Sequence, residues 1–187
     1  LPTPSSQPLY HQSHVSLPGC SNLPYSYKGP TAYLVPGNHD WFDGLSCFVK
    51  YICFRSWLGG WLLPQTKSYF ALKLPHNWWL FGLDNGLGCD IDPQQCRYFS
   101  KLASSLPPGA RVILVTHDPN WVLDQYAADS TTGVPAVTGQ HTTFLMDGPL
   151  RGKVRLRLAG DVHNYMRHTW LPTPTTPPPT TPPPPPA

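Results

Sequence analysis

The chain has 187 residues, a formal net charge of +3, and only 12% of Asp, Glu, Lys and Arg residues. Because this charge is mild and the basic residues do not interleave with aromatic residues, we expect no nucleic-acid partner. No apolar run reaches the about 18 residues of a membrane span, so the chain as written is expected to be soluble, in a compartment that the sequence does not indicate.

Composition divides the chain into three parts. Residues 1–30 are rich in Pro and Ser and predict an irregular segment. Ten of the 25 prolines lie in 172–186, where the only other residue is Thr, so a disordered, extended tail is predicted for 171–187. One globular domain is therefore expected at 31–170, where apolar periodicity is found.

The expected elements of this domain alternate between strands and helices. In chain order they are a strand at 32–35, a helix after Asp43, strands at 68–74 and 78–83, a helix from Pro93, and strands at 111–116 and 153–159. Asp92 before Pro93 is typical of a helix N-cap followed by proline in the first turn. The last strand alternates basic and apolar residues, which predicts a solvent-facing basic side. An α/β fold is predicted.

Three of the expected strands end in polar loops, at 38–40, 117–118 and 160–163. Ligand sites in open α/β sheets lie outside the carboxyl ends of strands, so these loops are expected to converge. Their imidazole, amide and carboxylate groups suit Mn, Fe or Zn. Alternatives remain open for each loop, because a polar turn with local side-chain hydrogen bonds would explain 38–40 and a structural histidine would explain His117.

Several motifs resemble those of the calcineurin-like metallophosphoesterases, and of a plant and algal branch in particular. The family blocks resemble VPGNHD at 35–40, VTHD at 115–118 and LAGDVH at 158–163. The branch is similar in GNHDWFDGL at 37–45, WLGGW at 57–61, FGLD at 81–84, PNW at 119–121 and YMRH at 165–168. The resemblance implies an αββα sandwich with mixed sheets, here lacking its first strands, and a phosphate-ester substrate.

The resemblance also implies roles for residues of the first loop. Asn38 would offer its amide oxygen to a metal ion and hold a phosphate oxygen. His39 would be the general acid beside the leaving group, with Asp40 orienting its ring. His168, beside Arg167, is interpreted either as a substrate-binding residue or as an exposed surface residue.

The remaining implied roles are those of metal ligands in a dinuclear centre. His117 would bind the second metal ion, and His163 would bind the first. Asp161 stands where the family pattern has a histidine, and its carboxylate would still be a ligand. Two divalent ions, as Mn, Fe or Zn, would neutralise phosphate charge and activate water.

One departure from the family concerns the residues before Asn38. The family begins with Asp-x-His and Gly-Asp motifs, whereas residues 1–37 contain no Asp or Glu. We therefore expect an N-terminally incomplete phosphomonoesterase or phosphodiesterase with little or no turnover. The alternative is a non-catalytic remnant that acts as a metal-binding or scaffold module. Members of the branch are often membrane-associated, and the sequence does not indicate an oligomeric state.

Overall fold

The computed structural model describes residues 29–129 and 139–169. The predictions for the tail at 171–187 and for nearly all of the N-terminal segment at 1–30 lie outside these described residues. Among the described residues, no helix combines the length and the apolarity needed to cross a membrane.

The described residues form several helices and six strands. A 3-10 helix at Asn38–Asp43 precedes α1 (Ser46–Phe48), which continues as a π-helical turn at Val49–Cys53. The strands are β1 (Trp57–Leu58), β2 (Trp61–Leu62), β3 (Phe70–Lys73), β4 (Trp78–Gly82), β5 (Arg111–Thr116) and β6 (Val154–Ala159). The longer helices are α2 (Pro93–Ser104), α3 (Asn120–Asp129) and α4 (Gln140–Asp147).

The main sheet has four strands in the order β3-β4-β5-β6. β3 and β4 are antiparallel, whereas β4, β5 and β6 are parallel, so the predicted α/β fold with a mixed sheet is confirmed. β1 and β2 form a separate two-stranded antiparallel hairpin. The finer prediction of an αββα sandwich that lacks its first strands stays a prediction.

Helix α2 begins as the sequence predicts. The carboxylate of Asp92 accepts the backbone N–H groups of Gln94 and Gln95 at 2.7 and 2.9 Å, and Pro93 occupies the first helical position. The helix then covers one face of the main sheet, where Phe99 meets Phe81 with ring centroids 5.2 Å apart. Both side chains are fully buried, and they lie in the largest apolar core of the described residues.

The strand predicted at 32–35 does not form. Thr31 makes a single bridge to Leu62, and the side chain of Gln65 then takes the place of a strand neighbour for Leu34. The amide oxygen of Gln65 accepts the Leu34 N–H at 2.8 Å, and its amide nitrogen donates to the Leu34 carbonyl at 2.7 Å. One buried side chain thus satisfies the backbone groups that a strand ladder would otherwise satisfy.

The predicted solvent-facing basic side of the last strand is found only in part, because Arg155 is exposed but Arg157 is not. Arg157 pairs with Leu114 and therefore lies on the sheet face that carries the core. Its guanidinium lies over Trp121, 5.4 Å from the ring centroid, and burial lowers its pKa. Leu156 and Leu158 lie on the opposite face and remain 45% and 47% exposed. An irregularity in the β5–β6 register between Val112 and Ile113 shifts the alternation by one residue.

Candidate metal centre

Polar side chains from three distant segments meet at the carboxyl edge of the parallel strands. Nε2 of His117, after β5, lies 3.2 Å from Oδ1 of Asn38, at the start of the 3-10 helix. It also lies 3.2 Å from Oδ1 of Asp161, after β6, and 3.9 Å from Oδ1 of Asp118. We call these four residues the His117 cluster. Its His and Asp members form the group among the described residues that could hold a metal ion.

The backbone at His117 is held by the buried side chain of Asn85. The side-chain oxygen of Asn85, Oδ1, accepts the N–H groups of His117 and Asp118 at 3.0 and 3.4 Å. Its amide nitrogen donates to the side chain of Asn120 at 3.3 Å, and Asn120 donates to the Cys89 carbonyl at 2.9 Å. This chain of amides fixes the loop after β5 from the inside, so the imidazole starts from a defined main-chain position.

The loop that carries Asn38 is placed by close backbone contact. A Cβ atom added to Gly86 would lie 2.9 Å from the carbonyl carbon of Gly37, which is too close for any side chain. A Cβ atom on Gly37 would in turn lie 3.0 Å from Cε1 of His117. Glycine at these two positions therefore permits the approach of Asn38 to the imidazole.

The loop after β6 contains two residues with left-handed backbone. Asp161 has φ 51° and His163 has φ 52°. A non-glycine residue in this region costs on the order of 1–2 kcal/mol. Such backbone persists where the surrounding structure over-determines it, and it is concentrated at functional sites. The strained residue Asp161 is the one that directs its carboxylate at His117.

Two separations within the cluster, those of His117 from Asn38 and from Asp161, fit a shared cation. Ligand atoms about 2.1 Å from one ion lie about 3.0–3.4 Å apart in octahedral and tetrahedral sites. The two contacts of His117 Nε2, each 3.2 Å long, lie in this interval. Both partner atoms are oxygen acceptors. Nε2 can therefore lie this close to them either when it carries a proton that it donates or when a cation lies between the three atoms. One imidazole nitrogen with amide and carboxylate oxygens is a donor set for Mn, Fe or Zn.

Buried Asp118 and partly buried Cys89 lie side by side next to His117. Burial raises the pKa of Asp118, which has a side-chain hydrogen bond with Cys89. Burial, followed by the nearby charge of Asp118, raises the pKa of the Cys89 thiol to about 11. Cys89 is therefore a protonated thiol at neutral pH in the metal-free chain and donates to Asp118.

The structure brings together three of the residues expected to bind metal: Asn38, His117 and Asp161. His163 is exposed and is not a member of the metal-compatible group among the described residues. His168 is exposed as well. These positions match the expected metal ligands only in part, and the roles themselves stay predictions.

The two expected catalytic residues lie on the 3-10 helix beside the cluster. The His39 ring is exposed and lies against Phe42, with ring centroids 4.7 Å apart. Oδ2 of Asp40 accepts the backbone N–H of Gly37 at 2.8 Å and so caps this helix. The Asp40 side chain thus caps the start of the 3-10 helix. The expected orientation of the His39 ring by Asp40 stays a prediction.

Sequence reasoning missed the contributions of Asp118 and Asn85. Asp118 follows His117 directly, and only its burial reveals that it turns toward the same space. Asn85 follows β4, and its side chain holds the His117 loop. The rule that strand ends converge applies to β4 as well, and it could have found Asn85.

The fold and the cluster define a mixed α/β domain with a His/Asp group that could bind a metal ion. In comparisons with protein-family models, with curated proteins and with solved structures, nothing matches this chain.

Proposed function

We propose that this chain is the metal-binding part of a metal-dependent phosphoesterase of the calcineurin-like type, acting on phosphomonoesters or phosphodiesters. One observation carries the proposal, namely the meeting of Asn38, His117 and Asp161 at 3.2 Å contacts from three distant segments. The motifs that contain these residues are the ones that resemble the family, so geometry and resemblance select the same side chains.

The chemistry assigned to the site divides between cation binding and proton transfer. A divalent ion, when bound, supplies neutralising charge for phosphoryl oxygens and lowers the pKa of water. In this proposal, His117 and Asp161 bind the ion, and the amide oxygen of Asn38 points toward the same ion. His39 lies next to Asn38 in sequence and is exposed, so its imidazole can reach a substrate and donate a proton to the leaving oxygen.

A second candidate function is cation binding without catalysis. It is favoured by the observation that His163 is not in the metal-compatible group, which leaves one His and two Asp ligands among the described residues. A site for one ion lacks the paired charges that clamp both the attacking and the leaving oxygen. The chain would then serve as a metal-binding or scaffold module.

Metal and phosphate binding test both functions. Titration calorimetry with Mn²⁺ or Zn²⁺ should show one site per chain, weakened at least about tenfold in His117→Ala because a ligand is lost. His76→Asn is the matched control, since His76 is exposed in the turn before β4 and Asn tolerates its left-handed backbone. The metal-loaded chain should also bind inorganic phosphate, whereas the metal-free chain should not.

The turnover assay uses a chromogenic phosphomonoester and phosphodiester. We expect little turnover, and any that is measured should fall to background in His117→Ala and in His39→Ala. Metal binding without phosphate binding or turnover would favour the binding module. A folded chain that binds neither ion would refute both functions.

A further inference from the structure

The hairpin of β1 and β2 exposes apolar side chains on both of its faces. Leu58 and Trp61 pair directly and share one face, whereas Trp57 and Leu62 share the other. Leu58, Trp61 and Trp57 are 45%, 51% and 42% exposed. The strands are joined by two glycines, Gly59 and Gly60, and a Cβ atom at either would meet nothing within 4 Å. The tip of the hairpin therefore projects from the domain.

The surface next to the hairpin continues this aromatic character. β1 contacts the π-helical turn Val49–Cys53, at whose end Tyr51 and Phe54 are 47% and 71% exposed. Lys50 lies over the Tyr51 ring, 5.1 Å from its centroid. Aromatic side chains that are partly exposed to solvent and partly packed against apolar groups, above all Trp and Tyr, favour the boundary between membrane and water.

The chain segment that carries the hairpin has charges of one sign. Between Asp43 and Asp84 the sequence has no acidic residue, and it has four cations: Lys50, Arg55, Lys67 and Lys73. Lys50 and Arg55 are exposed beside the aromatic surface. Basic residues close to an apolar, insertable segment are attracted to anionic lipid headgroups.

We propose that the hairpin, with Tyr51 and Phe54, inserts into the surface of an anionic phospholipid membrane. A flat protein partner would cover one face of the hairpin, whereas acyl chains and headgroups surround both faces at once. Lys50 and Arg55 lie next to the inserted residues and contact the headgroups. This binding is peripheral, because the hairpin has only two residues in each strand. It uses none of the residues of the His117 cluster and does not rest on the proposed phosphoesterase function.

Co-sedimentation of the full chain with vesicles tests the proposal. The chain should bind vesicles of phosphatidylcholine with phosphatidylserine, and bind phosphatidylcholine vesicles much more weakly. The double substitution Leu58→Ser and Trp61→Ser should lower the partition coefficient at least about tenfold, because two large apolar side chains are lost. Lys50→Ala and Arg55→Ala should each lower it about fivefold at low salt.

Matched controls distinguish the hairpin from general surface apolarity. Leu87 and Phe144 are 61% and 59% exposed outside the hairpin, so Leu87→Ser and Phe144→Ser should leave vesicle binding unchanged. Circular dichroism should show that every variant keeps its fold. Failure of the folded parent chain to bind anionic vesicles would overturn the proposal. So would a hairpin that instead mediates self-association, seen as a dimer that the double substitution converts to a monomer.

Discussion

The side-chain carbonyl oxygen of Asn85 accepts the backbone N–H of His117 at 3.0 Å. The two residues follow neighbouring parallel strands, β4 and β5, and the hydrogen bond ties the ends of these strands together. Asn85 is 2% exposed, so this hydrogen bond is shielded from bulk solvent. A buried amide thus fixes the main chain from which the His117 imidazole extends.

Substitution of Asn85 should therefore destabilise both the fold and the His117 cluster. Asn85→Ala leaves the N–H groups of His117 and Asp118 without their acceptor, which costs about 1–3 kcal/mol of unfolding free energy. Asn85→Asp retains an acceptor and should recover part of this loss. Urea unfolding measures both variants. Equal stability of Asn85→Ala and the parent chain would contradict the structural role.

Substitution of Asp161 should separate stability from cation binding. Because Asp161 has φ 51°, Asp161→Gly relieves backbone strain and should raise the unfolding free energy by about 1 kcal/mol. The same change removes a carboxylate from the cluster, so the affinity for Mn²⁺ measured by calorimetry should fall at least about tenfold. Asp161→Asn is the control that keeps an oxygen donor and tolerates the same backbone. Loss of stability in Asp161→Gly would show that the carboxylate is mainly structural.

Helix α4 should be sensitive to any side chain at Gly139. Gly139 is the N-cap of α4, and a Cβ atom there would lie 2.1 Å from Cγ of Asp90. Gly139→Ala must displace Asp90, whose carboxylate accepts the N–H groups of His141 and Thr142, and a loss of about 2 kcal/mol is expected. Thermal unfolding measures it. Gly60→Ala is the control because its Cβ would meet nothing; equal effects of the two changes would argue against the clash.

Asp90 should also make stability depend on pH in the acid range. Partial burial acts to raise its pKa, but hydrogen bonds from Thr142, His141 and Ile91 outweigh burial and lower the pKa. Folding therefore favours the carboxylate, and this stability is present above the ordinary Asp pKa of about 4. It is lost as the pH falls through the lowered pKa of the folded state.

Urea unfolding at neutral pH and near pH 3 measures this contribution of Asp90. The parent chain should lose more stability between the two pH values than Asp90→Asn, which has no carboxylate at this position. Comparison of the two chains cancels the titration of the other aspartates. A parallel pH dependence in both would exclude a stabilising role for the ionised Asp90.

Local sequence signals predicted the elements whose causes are local. Helix α2 follows from Asp92 and Pro93, and β5 occupies the predicted residues 111–116, where apolar side chains predominate. The strand at 32–35 was wrong because Gln65, 31 residues from Leu34, satisfies the backbone there. A long-range side-chain contact of this kind leaves no periodic trace in the sequence.

In the candidate site, too, some features could be predicted from the sequence and others could not. Strand-end loops predicted that His117 and Asp161 would lie near each other, because parallel strands end at one edge of a sheet. Asn38 also reaches His117, although the strand predicted before it does not form. The turn of Asp118 toward the same point, and the exposure of His163, depend on the exact backbone of each loop. Left-handed residues such as Asp161 and His163 set that backbone, and residue type alone does not predict them.

The contact between Gly37 and Gly86 has a consequence for ion size. Because no side chain separates these two main chains, the backbone of Asn38 cannot move away from His117 without moving a whole loop. Ca²⁺ needs oxygen ligands at about 2.3–2.6 Å and more of them than smaller ions take. Any ion that occupies the cluster should therefore be small, and Ca²⁺ should compete poorly with Mn²⁺ or Zn²⁺.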